Sequence, residues 1–289
     1  MNAPCVAAPL SFLYAEREGL NRVLERLPKP GEQATFGGLV SSSPAWLVAF
    51  LAQQRPRPFL VIVRDQNRLY EMVEDLQFFF REALGETAVK VLPFPHVETL
   101  PYESKPPEMS IEVERAEVFK QLLAPSGQVE NLAPMDEGGS SDEQRVIIVA
   151  PIRALQRRLP PAWLVRDILW VLEVGSQVDR NSLVRWAEQE GYERRDLVAI
   201  PGHYSIRGGI MDLFAFTHEI PIRIEFFGNE IESIRLFDPM TQRSVKQVKS
   251  VHLVPLGREN LVVQSWKSGQ ALDSLLAYLP ERTLVAVCE

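Results

Sequence analysis

Two stretches of this sequence carry residue types that could do chemistry. The first is Phe36-Gly-Gly-Leu-Val-Ser-Ser-Ser-Pro-Ala-Trp46, in which Gly37, Gly38, Ser41, Ser42 and Ser43 precede an apolar helical segment. Glycines followed by hydroxyls at a helix start can cradle phosphate with backbone amides, the geometry of nucleotide-hydrolysing loops. Such loops end in Gly-Lys-Ser/Thr, and no lysine stands here. An ordinary loop leading into a helix capped by Ser42 or Ser43 accounts for the same residues. The companion feature, a strand ending in Asp-Glu to hold magnesium, is replaced at the end of Thr283–Cys288 by Val287-Cys288-Glu289. A thiol with an ordinary pKa of about 8.5 is a poor ligand for that hard cation. Both departures argue against ATP hydrolysis, so neither cofactor nor metal is expected, and no catalytic residue is assigned.

The second stretch is Ile222 to Phe237, which reads as a hairpin around a two-residue Gly228-Asn229 turn. On that register Phe227 opposes Glu230, Glu225 opposes Glu232 and Arg223 opposes Ile234 on one face. Ile222, Ile224, Phe226 and Ile231 form the other, core-side face. An outward phenylalanine beside an arginine is the chemistry of a protein interface, where such anchors often contribute about 2 kcal/mol or more. An arginine screening two glutamates, with the ring incidentally exposed, is the plainer alternative. Just upstream, Gly208-Gly209 inside a strand pattern predicts a bulge or a close backbone approach that would re-aim Arg207.

Other candidates are weaker. His96, His203, His218 and His252 have no metal-ligand spacing and are expected at loops or strand ends. No Gly-x-Ser-x-Gly elbow occurs. Arg153, Arg157, Arg158 and Arg166 could touch DNA, though a solvated basic face explains them equally.

The elements that would position these residues are legible from periodicity. Phe59–Val63, Val89–Leu92 and Arg145–Ala150 are apolar runs suited to buried parallel strands. Between them, Asn67–Leu84 repeats Leu69, Met72, Val73, Leu76, Phe80 and Leu84 at helical steps with Gly85 as a stop, and Ile111–Leu123 is a second helix. A short helical segment runs up to Leu159. Residues 124–144 are rich in Pro, Gly, Ser and acids without apolar period, which predicts a flexible acidic insertion. After Pro160-Pro161 the texture changes to a helix over Asn181–Gln189, with Asn181 as cap and Gly191 as stop, and several short strands. From Val251 a strand, a helix over Gly269–Leu279 and a buried strand Thr283–Cys288 resume the α/β pattern. The domains read as 1–162, an inserted α+β module over 163–250, and a return over 251–289.

Composition bounds the function. The 289 residues, 46% hydrophobic and 24% charged, are globular in character and sufficient for about two domains. Lys plus Arg is 31 against 38 for Asp plus Glu, a formal charge of −7, which is the wrong sign for coating nucleic acid. Two cysteines far apart, Cys5 and Cys288, and an N-terminus without a basic start and apolar core predict a cytoplasmic protein with no membrane partner.

These residues also carry a resemblance. The runs Gly191-Tyr-Glu-Arg-Arg-Asp-Leu-Val198, Pro201-Gly-His-Tyr-Ser-Ile-Arg-Gly-Gly-Ile-Met-Asp-Leu-Phe214, Arg223–Pro239 and Thr241–Ser244 resemble the UvrA-interaction domain shared by UvrB and the transcription-repair coupling factors. Leu92–Pro107 and Ala150–Pro160 resemble the coupling factors rather than UvrB. The resemblance implies a degenerate helicase-type (RecA-like, P-loop-like) α/β domain that has lost nucleotide binding, with the interaction domain inserted. By motif position it places UvrA contacts on Arg207, Arg223 and Phe227, with Glu225, Glu230 and Glu232 adjoining them. Phe94–Tyr102 is short and holds one tyrosine where UvrB carries a tyrosine-rich DNA-clamping hairpin, which speaks against damage verification. The implied role is that of an N-terminal, non-catalytic adaptor. RNA polymerase and DNA would be engaged by parts outside this chain, and a C-terminal domain of the same parent would mask the UvrA surface. The enzymatic alternative is a UvrB-like ATP-dependent damage-recognition subunit.

Overall fold

The apolar run Phe59–Val63 forms β1, and its side chains are buried on both faces, so it requires cover from two sides. In the computed structural model, which describes residues 33–54, 57–83, 89–97, 108–123, 145–256, 262, 265 and 267–288, β1 sits inside a parallel sheet. β2 (Lys90–Pro93) and β3 (Val146–Pro151) complete the predicted strands, and Leu284–Val287, the last strand of the chain, lies at the sheet edge beside β1. Phe59 faces Ile147 on one side and Leu284 on the other. One expectation is corrected: this last strand is not buried, because among the described residues only its Leu284 and Ala286 face packs against the core, leaving Val285 and Val287 exposed on the other. α1 (Ser43–Gln54) buries residues almost all round, as a helix inside a core does.

α2 (Gln66–Phe78) starts where the Asp65 carboxylate accepts the Arg68 amide at 3.0 Å, and a π-helical turn extends it over Phe79–Ala83. Its stripe of Leu69, Met72, Val73, Leu76 and Phe80 is buried as the periodicity requires, whereas Leu84 and Gly85 lie outside the described residues. α3 (Met109–Leu123) and the short α4 (Ile152–Gln156) follow expectation, and residues 124–144 also lie outside the described ones.

The chain divides into two compact units. One comprises the described residues of Met1–His96, Asp142–Gln156 and Pro280–Glu289; the other those of Val97–Ser141 and Arg157–Leu279. The second unit contains α5 (Ala162–Asp167), β4 (Trp170–Glu173), α6 (Arg180–Gln189) and a six-stranded sheet. That sheet runs through β5 (Glu193–Arg194), β6 (His203–Arg207), β7 (Ile210–Leu213), β8 (Ile222–Phe227), β9 (Glu230–Phe237) and β10 (Ser244–Val248), in spatial order β10-β9-β8-β7-β6-β5. All its pairs are antiparallel except β5 with β6.

β11 (Ser250–Leu253) pairs antiparallel with β4 instead of joining the parallel sheet. Leu284–Val287 is therefore β12. The inner face of the six-stranded sheet carries Tyr204, Met211, Ile222, Ile224, Phe226, Ile231 and Ile234, packed against Leu183 and Ala187 of α6 and Leu172, Val251 and Leu253 of the β4–β11 pair. The Tyr204 hydroxyl donates to Glu188 at 2.8 Å, and burial together with that carboxylate pushes the phenol up to about 12.

Two local expectations are corrected. The cap of α6 is Asp179, whose carboxylate accepts the Asn181 and Ser182 amides at 3.2 and 3.1 Å; Asn181 itself lies within the first turn. The predicted helix over Gly269–Leu279 shrinks to a single 3-10 turn, Leu275–Tyr278. Asp273 forms a two-way backbone bridge with Leu159, and its side chain takes the Ala162 amide at 3.0 Å, so the chain is held extended until Ser274.

His252 was expected at a solvated strand end but is buried within β11, with ring Nε2 unpartnered. Burial, then the charge of Lys120, lowers its pKa below the usual 6.5; Lys120 in turn reaches the Thr217 carbonyl at 2.8 Å and Glu117 at 3.6 Å. The unfolded chain binds this proton more readily than the folded one. Stability contributed by the neutral ring is therefore complete above pH 6.5 and is lost as pH falls below it. Urea unfolding at pH 7.5 and 5.5 should show a larger drop for the parent than for His252→Gln; equal drops refute the assignment.

Candidate functional site

The β8–β9 hairpin turns at Gly228-Asn229 with Gly228 at φ +64°, and Phe227 faces Glu230 as the sequence predicts. Below that rung the register departs from prediction. A bulge between Glu225 and Phe226 leaves Glu232 without a cross-strand partner, so Glu225 faces Ser233 and Arg223 faces Arg235. Sequence alternation alone does not reveal one extra residue. Ile222, Ile224, Phe226 and Ile231 point inward as expected, while Phe227 is 79% exposed, among the most exposed large hydrophobic residues described. Glu230 and Glu232 are exposed beside it, with Gln177 3.4 Å from the Glu230 carboxylate.

Across the outer face the cross-strand row Ser205, Asp212, Arg223, Arg235 sets like charges opposite each other, which is unfavourable unless neutralised. Asp212, 1% exposed, does this. It accepts Arg223 Nε at 2.7 Å and Nη2 at 2.9 Å in a bidentate pair, and it also takes Arg207. The Arg223 side chain is 17% exposed, its remaining nitrogen donates to the Gln242 carbonyl at 3.3 Å, and its guanidinium lies 4.6 Å from the Phe237 ring centroid. Hydrogen bonding to Asp212 raises its already high pKa. Glu225 accepts Ser233 at 2.6 Å and Arg235 at 3.1 Å.

The two predicted arginines thus differ. Arg207 is half-exposed and spends one donor on Asp212, whereas Arg223 is engaged on all sides. Sequence reading missed Asp212 and Gln242. Gln242 adopts φ +60°, sparsely populated for a side-chain-bearing residue, which turns its carbonyl toward Arg223. The available signal for Asp212 was an acid within an otherwise apolar strand, Ile-Met-Asp-Leu.

The hairpin tip is fixed from both edges. On one side Gly208-Gly209 forms the tight turn joining β6 and β7, not a bulge, and the Phe226 amide donates to the Gly209 carbonyl at 2.8 Å. A Cβ at Gly209 would lie 2.8 Å from the Phe226 carbonyl oxygen, so the close backbone approach that the glycines suggested is present. On the other side residues 175–178 run along β9: Gly175 donates to Ile231 and Val178 to Asn229, and Ile231 donates back to Ser176. Arg180 then donates to the Gly208 carbonyl. Phe227 is presented on a frame that needs little ordering when a partner arrives.

The glycine–serine loop lies in the first unit. Gly37 and Gly38 are exposed, Gly38 and Ser41 have φ of +78° and +55°, and the Ser43 hydroxyl exchanges hydrogen bonds with the Val40 carbonyl and amide at 2.7 Å each. The Ser42 backbone carbonyl accepts the Trp46 amide as the helix begins, and Arg68 donates to the Ser41 carbonyl at 3.0 Å. Burial raises the Cys288 thiol against the opposing charge of Arg68. Among the described residues no three His, Cys, Asp or Glu side chains converge as metal ligands, and no helix is long and apolar enough to cross a membrane.

Comparison with known proteins shows what this region and the chain around it are similar to. Residues 171–258 match the UvrB interaction domain. The chain is 25% identical over 260 residues, 90% of its length, to the transcription-repair-coupling factor of Bacillus subtilis strain 168. It is 31% identical over 227 residues, 78% of its length, to that of Myxococcus xanthus. It also matches the UvrABC system protein B of Thermosipho africanus at 23% over 265 residues, 92% of this chain and 38% of that protein. The chain spans about a fifth of the coupling factors it matches, 20% and 18% of those two.

Proposed function

Because this chain carries a UvrB interaction domain and is similar along most of its length to transcription-repair-coupling factors, we propose that it is the adaptor region of such a factor, docking UvrA so that excision repair reaches stalled RNA polymerase. The observation that carries this reading is Phe227, exposed on a hairpin pinned at both edges, beside the half-exposed Arg207. Arg223 acts from beneath, holding Asp212 and the strand row in place. RNA polymerase and DNA belong to other parts of the parent protein, and its C-terminal domain is a second occupant of the same face. Titrating UvrA with the parent chain, Phe227→Ala and Arg223→Ala tests the docking; undiminished affinity in both variants removes this surface. Because the contact mixes charge with apolar area, its salt dependence is moderate.

The first unit serves, in this reading, as a helicase-type scaffold of RecA-like descent whose phosphate loop has degenerated. The missing lysine, the Val40 amide engaged by Ser43 and the Cys288-Glu289 ending support it. A ligand bound only by the folded state raises its melting temperature. Millimolar ATP with magnesium should leave the melting midpoint of this chain unchanged; a rise of several degrees would restore the ATPase alternative.

A further inference from the structure

We propose that Arg180, on the first turn of α6 and outside the β8–β9 hairpin, is a further contact of the docking face, engaging a carboxylate on the partner protein. This rests on the reading of that face as the UvrA site. Arg180 is half-buried, and its guanidinium donates, in a solvent-facing hydrogen bond, to the Gly208 carbonyl in the turn that follows Arg207. The next residue of that turn, Gly209, accepts the Phe226 amide at 2.8 Å. One side-chain and one backbone hydrogen bond to this turn therefore bring Arg180, Arg207 and Phe227 into one neighbourhood, though they come from three different elements.

Its charge sets Arg180 apart from the other arginines nearby. Arg185 meets Asp179, Arg207 and Arg223 share Asp212, and Arg235 meets Glu225. Arg180 is held by a neutral carbonyl, and the adjacent Asp179 is turned to the Asn181 and Ser182 amides and to Arg185. A guanidinium anchored by one nitrogen keeps its positive charge and further donors available to pair with a carboxylate. The exposed Glu230 and Glu232 near the same tip oppose a continuous polyanion such as duplex DNA and favour a discrete carboxylate set beside an apolar pocket for Phe227.

Binding of purified UvrA to the full 289-residue chain tests this, with Phe227→Ala as reference and melting temperatures recorded alongside. Arg180→Lys, which keeps the cation, should bind within about threefold of the parent; Arg180→Gln, which keeps a donor for Gly208 but not the charge, should weaken binding about five- to tenfold; Arg180→Glu should weaken it about thirtyfold or more. Gln should also flatten the salt dependence. If Gln and Glu bind within twofold while Phe227→Ala is impaired, the inference falls and the docking face stands. If Phe227→Ala is unimpaired too, both fall. Equal loss in Lys and Gln would reduce Arg180 to a brace of the turn and overturn the proposal, as would loss of duplex DNA binding with UvrA affinity intact.

Discussion

Replacing Asp212 with alanine is expected to destabilise the second unit by about 2–4 kcal/mol, the cost of leaving a largely buried charge without its partner, reduced somewhat because Arg207 can turn to solvent. Asp212 accepts both nitrogens of the Arg223 fork and also Arg207. Without it, Arg223 would face Arg235 across the strand with the Gln242 carbonyl, the Phe237 ring and the more distant charge of Glu225 as partial compensation. Nothing in this argument requires the carboxylate itself to be stabilising; the penalty comes from the guanidinium it abandons. The double variant Asp212→Ala/Arg223→Met should therefore recover much of the loss. Urea unfolding monitored by the tryptophans checks both variants. A single variant within about 0.5 kcal/mol of the parent would mean that solvent already satisfies Arg223.

That cluster also marks where sequence reading stopped. The strands of the parallel sheet, α2 and the β8–β9 turn were legible because each is specified locally, by an apolar run, a helical stripe or a glycine that tolerates positive φ. The outward place of Phe227 followed from alternation counted back from that turn. Alternation is reliable only until a residue is inserted, and the bulge at Glu225 and Phe226 moved the partner of Arg223 from Ile234 to Arg235. The pairing of Arg223 with Asp212 depends on which strand lies next to β8, a matter of topology, as does the bridge from Asp273 to Leu159 that truncated a predicted helix. Contacts between elements distant in sequence leave no period to count.

Phe227→Ala should separate binding from folding more cleanly than any other change on this face. The ring is 79% exposed and inserts into no core, so its removal should leave stability within about 0.5 kcal/mol of the parent. Buried in a partner pocket, an aromatic anchor at the centre of an interface contributes about 2 kcal/mol or more, which corresponds to roughly a thirtyfold loss of UvrA affinity. Arg223→Ala should lower both stability and affinity, because it acts through the frame. The contrast is the informative result: an affinity loss at position 227 with an unchanged unfolding curve identifies a contact, whereas parallel losses identify a structural residue. Phe227→Leu should fall between parent and alanine if the pocket reads apolar area, and should match alanine if it reads the flat ring. Wild-type affinity in Phe227→Ala, with the protein folded, would show that the exposed ring is incidental and that UvrA, if it docks here at all, does so elsewhere on the sheet.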